Sequence, residues 1–365
     1  MLEVLASGLV YRNPRPELRP VHTWHPTIVR FEDGELLCTF DLASADVALD
    51  YRTYASRSLD DGTTWTSPVR VLADSGNRAS VHSVRISRVS DGSVVAFGGR
   101  MFRDDPDRGL INVPTLGYTE MELITLRSRD RGRSWEGPVR IDPPLVGPAF
   151  EICHAIVELR DGRWLGPTST WMGWDGAAPN GMNAILLVSH DQGSSWPEYI
   201  VEFDRWAEHV LHWEQSVVQL RDGRLLAVAW AVSLDTNRAE PTPYALSEDG
   251  REFTVRGFTG FRGQTTKIIE LPDGRIFSAY RRDDVPGLWA TVARLDGDRW
   301  VNQETIPLWQ GASSGMSGTA DPGHELLQLK FGFPQMVVMP DGQLFLVFWC
   351  EEDCIKNIRW LRIAV

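Results

Sequence analysis

Lysine is nearly missing from this chain. Of its 37 basic residues only Lys267, Lys330 and Lys356 are lysines, and 49 acidic residues bring the formal net charge to −12. A surface so charged offers no basic face to a phosphate backbone, which sets nucleic acid aside as a partner. Arginine in place of lysine suits bidentate recognition of carboxylates, although GC-rich coding produces the same bias. Cysteine is scarce as well. Cys38, Cys153, Cys350 and Cys354 are too few for a disulfide scaffold and match no zinc spacing. Three are expected as buried thiols, with a Cys350–Cys354 pairing open if the last strands bring the two together. No apolar run approaches the roughly 20 residues that a membrane helix needs, so no insertion into a bilayer is expected. No amphipathic helical period of about ten residues or more is present, which argues against folds that alternate strand with helix. Met1 to Gly8 have neither a basic start nor a sustained apolar stretch. The expected location is therefore the cytoplasm, or outside the cell if a signal peptide has been removed.

What the chain has instead is repetition. The pattern Ser-x-Asp-x-Gly-x-x-Trp occurs at Ser58 to Trp65, Ser128 to Trp135 and Ser189 to Trp196. A worn copy runs from Ser247 to Phe253, and Leu295 to Trp300 is a candidate fifth. Each reads as a turn: Asp accepts from nearby backbone N–H groups, Gly takes a φ that other residues avoid, and the aromatic ring anchors the loop.

A second repeat accompanies the first. Six segments have the form apolar strand, Asp-Gly, apolar strand: Ile28 to Phe40, Val84 to Phe97, Ala155 to Leu165, Val217 to Trp230, Ile268 to Tyr280 and Met336 to Trp349. Asp-Gly between β-rich runs is a strong hairpin signal. Successive aspartates at 33, 91, 161, 222, 273 and 341 are 58, 70, 61, 51 and 68 residues apart, the length of a four-stranded sheet with its loops. The fold class expected is all-β, a six-bladed β-propeller of four-stranded antiparallel blades. One domain covers 1–365, with blades at about 21–78, 79–147, 148–208, 209–260, 261–312 and 326–365 plus 3–11. The last unit supplies only three strands before Val365, so the N-terminal segment Glu3 to Tyr11 is expected to close it as the outer strand, since an open sheet would expose an unpaired edge.

The Ser-x-Asp-x-Gly-x-x-Trp turns resemble the Asp-boxes, or BNR repeats, of the sialidase superfamily. The first unit, from His25-Pro26-Thr27 to Arg57-Ser58, looks most like its BNR-repeat sialidase-like branch, and the likeness spans essentially the whole chain. The resemblance implies a six-bladed propeller with its active site where the inner strands converge. It also implies a carboxylate-binding arginine triad, a tyrosine nucleophile with a glutamate partner, and an aspartate acid/base. Carried over by position, Glu214 matches the glutamate and Asp46 the aspartate, with Asp50 as rival. Trp24 stands at the place of the first arginine, Phe333 at the place of the tyrosine, and no arginine follows Trp230; Arg281 or Arg282 is a replacement for one of them. The triad and the nucleophile are thus not matched, which separates the expected chemistry from that of a strict sialidase.

Histidines stand at or near the starts of inner strands: His25, His82, His154 and His212. Gathered around an axis they could bind a transition metal, act as acid and base, or hydrogen-bond a sugar, and isolated histidines satisfied by the backbone are the plainer reading. No metal and no cofactor is expected. Glycoside hydrolysis needs two groups flanking the bond, and Asp46 as general acid with Glu214 as base or nucleophile, supported by His25, is the expected catalytic set. His82, Arg100, His154, Arg281 and Trp171 are the candidate substrate contacts, the arginines for an anionic group and the tryptophan for stacking. The function expected is an exo-acting glycoside hydrolase that removes a terminal acidic sugar from an oligosaccharide or glycoconjugate. The alternatives are a polysaccharide lyase with a histidine base, and a carbohydrate-binding propeller without chemistry.

Overall fold

The computed structural model describes residues 1–74, 78–152, 154–282, 284–312, 314–315 and 322–365. Six antiparallel sheets follow one another along the chain. Blade 1 runs outward through His22–Arg30, Leu36–Ala43, Arg52–Ser58 and Val69–Arg70. Blade 2 repeats the order with Ser80–Arg88, Val94–Phe102, Met121–Ser128 and Glu136–Ile141. In blade 3 the inner position is shared by Ala149–Glu151 and Val157–Glu158, ahead of Trp164–Trp171, Ala184–Ser189 and Glu198–Phe203. Blades 4 and 5 start from Val210–Gln219 and Gln264–Glu270. Blade 6 contains Phe331–Val338, Leu344–Glu352 and Ile355–Ala364, and Glu3–Tyr11 closes it from the other end of the chain. That closure pairs Glu3 with Ala364 and Tyr11 with Ile358, which removes the edge that the C-terminal strand would expose.

The six Asp-Gly hairpins share one geometry. In the first, Phe31 N–H donates to Glu35 O at 2.8 Å and Gly34 N–H to Phe31 O at 3.1 Å, so three residues form the loop. Glycine in the left-handed region, φ 96° at Gly34, supplies the bulge that a three-residue hairpin requires. Second strands are packed on both faces, and Leu36–Ala43, Trp164–Trp171 and Leu225–Ser233 are buried at every residue. The apolar clusters between blades follow from this.

The Ser-x-Asp-x-Gly-x-x-Trp turns join third to fourth strands. In the first, Asp60 accepts from Ser58 Oγ at 2.8 Å, Thr64 N at 2.8 Å and Thr64 Oγ1 at 2.6 Å, while Ser58 Oγ accepts from Gly62 N at 2.8 Å. Asp191 repeats the set with Ser189 and Ser195. The worn copy keeps the Ser247 Oγ contact to Gly250 N and an Asp249 contact to Arg251 N, and buries Phe253. The Leu295 to Trp300 segment is a tight hairpin turn, with Asp296 paired to Arg299.

The Cys350–Cys354 pairing does not form. Cys350 is buried opposite Asn357 and Cys354 lies exposed in the following turn, both as free thiols. Cys38 is also a buried free thiol, and Cys153 lies outside the described residues. Among these, the helices are a 3-10 turn at Trp206–Glu208 and one short helix at Pro322–Leu327. No helix is long and apolar enough to cross a membrane.

Candidate active site

Four of the six inner strands break register at the same place. The ladder slips between Trp24 and Thr27, Trp213 and Ser216, Gln264 and Lys267, and Gly332 and Gln335. At each slip a residue other than glycine takes a positive φ: His25 (49°), Glu214 (46°), Thr265 (52°) and Phe333 (54°). Such a conformation costs roughly 1–2 kcal/mol and persists only where surrounding structure holds it. A bulge re-aims a side chain that strict alternation would bury between blades. His25 and Glu214 accordingly line one cavity of about 220 Å³, although they come from blades 1 and 4.

His25 is held from behind. Its Nδ1 lies 2.8 Å from Tyr51 OH and 3.2 Å from Asp41 Oδ2. Tyr51 OH donates to Asp41 at 3.1 Å, so the proton on Nδ1 is the one that completes the set and the lone pair falls on Nε2. With the side chain 34% exposed, that nitrogen is left for the cavity. Asp41 is fully buried and also accepts from Thr53 and Ser83, both at 2.6 Å, and from Arg85 at 3.3 Å. Burial alone would raise the Asp41 pKa, but Arg85 and the hydrogen-bond donors hold it below the ordinary value. Burial lowers the His25 pKa, against the pull of Asp41, so the imidazole is neutral.

On the same blade 1 and 6 side as His25, Lys356 Nζ holds both oxygens of Asp46, at 2.6 and 2.8 Å. The same ammonium lies 5.1 Å from the Trp24 ring and 5.2 Å from that of Trp349. Glu151 is buried beside Glu214 and accepts from its backbone N–H at 3.2 Å. Trp213 forms part of the wall and stacks on Trp171 at 4.9 Å. Among the described residues no three His, Cys, Asp or Glu side chains gather as a metal site.

The structure thus brings Asp46, Glu214 and His25 to one cavity and leaves the other sequence candidates off its lining. His82 is buried, while its strand neighbours Ser83 and Arg85 reach the cavity. Burial pushes its pKa down to about 4. His154 bonds Ala155 O at 2.7 Å, and burial, with Lys267 nearby, takes its pKa to about 3. Arg100 pairs with Glu122 across the strand. Arg281 is buried, bonding Gln264 and Phe331 O and lying over Trp230, and Arg282 pairs with Asp284. Trp171 is a core ring whose Nε1 donates to Leu116 O. Asp50 accepts from Ser44 N and Oγ as a loop cap.

Sequence reasoning missed Asp41, Tyr51, Arg85 and Lys356. Signals existed: Asp41 is a charge in an otherwise apolar strand end, Arg85 sits between Val84 and Ile86 on an inner strand, and Lys356 is one of only three lysines.

The chain matches the family described as BNR repeat-like domain over residues 34–346. A protein of unknown function from Dyadobacter fermentans is similar in structure, with a TM-score of 0.76 and 20% identity, over 100% of this chain and 99% of that one. The NanB sialidase of Streptococcus pneumoniae aligns with a TM-score of 0.68 at 12% identity, over 98% of this chain and 70% of that one. A Hadza microbial sialidase gives 0.69 at 16%, over 98% and 68%. At such identities the likeness is one of fold. No curated protein matches.

Proposed function

We propose, from the premise that this chain belongs to the BNR repeat-like domain family, that it is an exo-acting glycoside hydrolase for a terminal acidic sugar. The observation that carries the reading is the convergence of His25, Asp46 and Glu214 on one small cavity beside Arg85 and Lys356. A volume of about 220 Å³ falls below the ~300–1,000 Å³ of pockets for drug-sized ligands and suits the terminal unit of a small glycoside rather than a threaded chain. The cations favour an anionic sugar, in keeping with solved relatives that are named sialidases.

His25 and Glu214 carry the proton transfers. The His25 Nε2 lone pair takes a proton from water as its oxygen attacks the anomeric carbon, and Glu214 gives one to the departing glycosidic oxygen. Asp41 stabilises the imidazolium that forms. Asp46, expected from the sequence as the general acid, has both oxygens on Lys356 and in this reading anchors that lysine instead, which leaves the acid role to Glu214. This route uses no tyrosine nucleophile; Phe333, which stands at that position by sequence, meets the His25 ring edge at 5.1 Å. Lyase chemistry is the second reading, because a neutral imidazole backed by a buried aspartate is equally a base for the proton beside a uronate carboxylate.

A panel of chromogenic glycosides and anionic oligosaccharides tests both. Hydrolysis without an ultraviolet-absorbing unsaturated product is the expected result; such a product selects the lyase. Glu214→Gln and His25→Asn should each lose about 10²–10⁴-fold in kcat while calorimetric binding survives. Because the His25 pKa is lowered, the acid limb of kcat/KM should lie below the ordinary histidine value of 6.5. Turnover unchanged in both variants would overturn the roles given to His25 and Glu214, and binding without turnover by the unaltered chain would replace the hydrolase with a binding protein.

A further inference from the structure

The cavity has two unlike walls. Its polar wall holds His25, Ser83, Arg85, Glu151, Glu214 and Lys356. The other is aliphatic: Met101, Leu110, Ile111, Leu326, Leu327 and Leu329 line it, and all six remain partly exposed. Met101 lies at the end of the second strand of blade 2, and the other five come from two excursions that reach the cavity.

The first excursion leaves blade 2 and is pinned. Asn112 N–H donates to Gly117 O at 2.8 Å, Thr119 N–H to Leu110 O at 3.0 Å, and Asn112 Nδ2 to Trp174 O of blade 3 at 2.7 Å. The second is the helix Pro322–Leu327 with its continuation. It touches the first where Gly323 meets Val113, so closely that a Cβ at 323 would lie 2.4 Å from Val113 O. Leu326 packs against the apolar cluster that contains Trp171 and Trp213, whereas Leu329 packs against the one that contains Trp24, Tyr51 and Trp349. The segment therefore crosses from the blade 3 and 4 side of the mouth to the blade 1 and 6 side.

A second sugar ring against this wall would lose water from its hydroxyls and find no hydrogen-bond partner, which is unfavourable for each buried polar group. An apolar group placed there gains by leaving water. We infer that the substrate is a glycoside of an acidic sugar with an apolar aglycone, aryl or short alkyl, seated on the aliphatic wall while the sugar meets the polar one. This deepens the proposed hydrolase reading and rests on it. The aglycone is favoured over other occupants because the apolar wall is continuous with the catalytic groups in one cavity.

The test uses methyl, hexyl and naphthyl glycosides of glucuronic acid and of N-acetylneuraminic acid, in both anomers. For the turned-over sugar, hexyl and naphthyl compounds should exceed the methyl one in kcat/KM by about tenfold or more, mainly through KM. Calorimetry with Glu214→Gln should show the same order in Kd. Ile111→Ser and Leu327→Ser, on separate excursions, should each shrink that ratio several-fold. Turnover indifferent to the aglycone overturns the aglycone inference and leaves the hydrolase standing. Aglycone-dependent binding without turnover of any compound does the reverse. Binding of none of the compounds, or a ratio unchanged in both serine variants, also overturns the inference.

Discussion

The rim of the ring and its axial mouth are both built around buried or bonded carboxylates, yet they are assembled in opposite ways. At the rim, Asp60, Asp130 and Asp191 accept from donors no more than four residues away, and the same bonds recur in three blades. At the mouth, Asp41 accepts from Ser83 across 42 residues, and Asp46 meets Lys356 across 310. Among the described residues neither of these two contacts recurs in another blade. Local bonds repeat because each is complete within its own segment, whereas the cavity draws unlike sets of residues from blades 1, 2, 3, 4 and 6.

The comparison is broken most severely at Asp41. Asp41→Asn leaves Arg85 buried without its counter-charge, so unfolding in denaturant should show a loss of about 3–5 kcal/mol, together with loss of turnover. A variant of wild-type stability would show that Arg85 does not depend on the pair.

Glu202 sharpens the contrast through pH. It lies fully buried near Gln215 and Lys267, and burial raises its pKa from 4.5 to about 8, against the opposing pull of Lys267 and Gln215. Between those values the folded chain binds the proton that the unfolded chain has released. Stability conferred at low pH is therefore lost as pH rises from about 4.5 to about 8. The rim aspartates have the other sign: their pKa values are lowered by hydrogen bonds from the turn hydroxyls and backbone, and their contribution is lost on acidification. Glu202→Gln should flatten the alkaline decline in Tm without altering the acid limb. An unchanged decline would assign it to another group.

The smallest effect belongs to the rim. Asp130→Ala removes acceptors from an exposed turn and should lower Tm by about a few degrees with kcat/KM unchanged. A drop in activity comparable to that of the mouth variants would erase the distinction between the two regions.

Legibility in the sequence follows the same division. The hairpins, the box turns and the closing strand Glu3–Tyr11 were all readable, because each depends on spacing within a short segment or on a strand count. His25 stands out by its place at an inner-strand opening and Glu214 by the family resemblance, and both line the cavity. Arg100, Arg281 and Trp171 were selected by repeat position too, but position in the repeat does not say what the next blade offers, and Glu122, Gln264 and Trp213 take them up. Asp41, Tyr51, Arg85 and Lys356 gave only weak signals, since an isolated charge in a strand announces burial cost without naming its partner.

Six Asp-Gly hairpins and an N-terminal strand left over were enough, in one dimension, to specify a closed ring, because backbone pairing is governed by alternation and turn chemistry that neighbouring residues carry. Only the folded ring decided which side chains share the mouth. There, register slips at His25 and Glu214 turn two residues into a common cavity, and such a conformation exists solely because adjoining blades compensate for its strain.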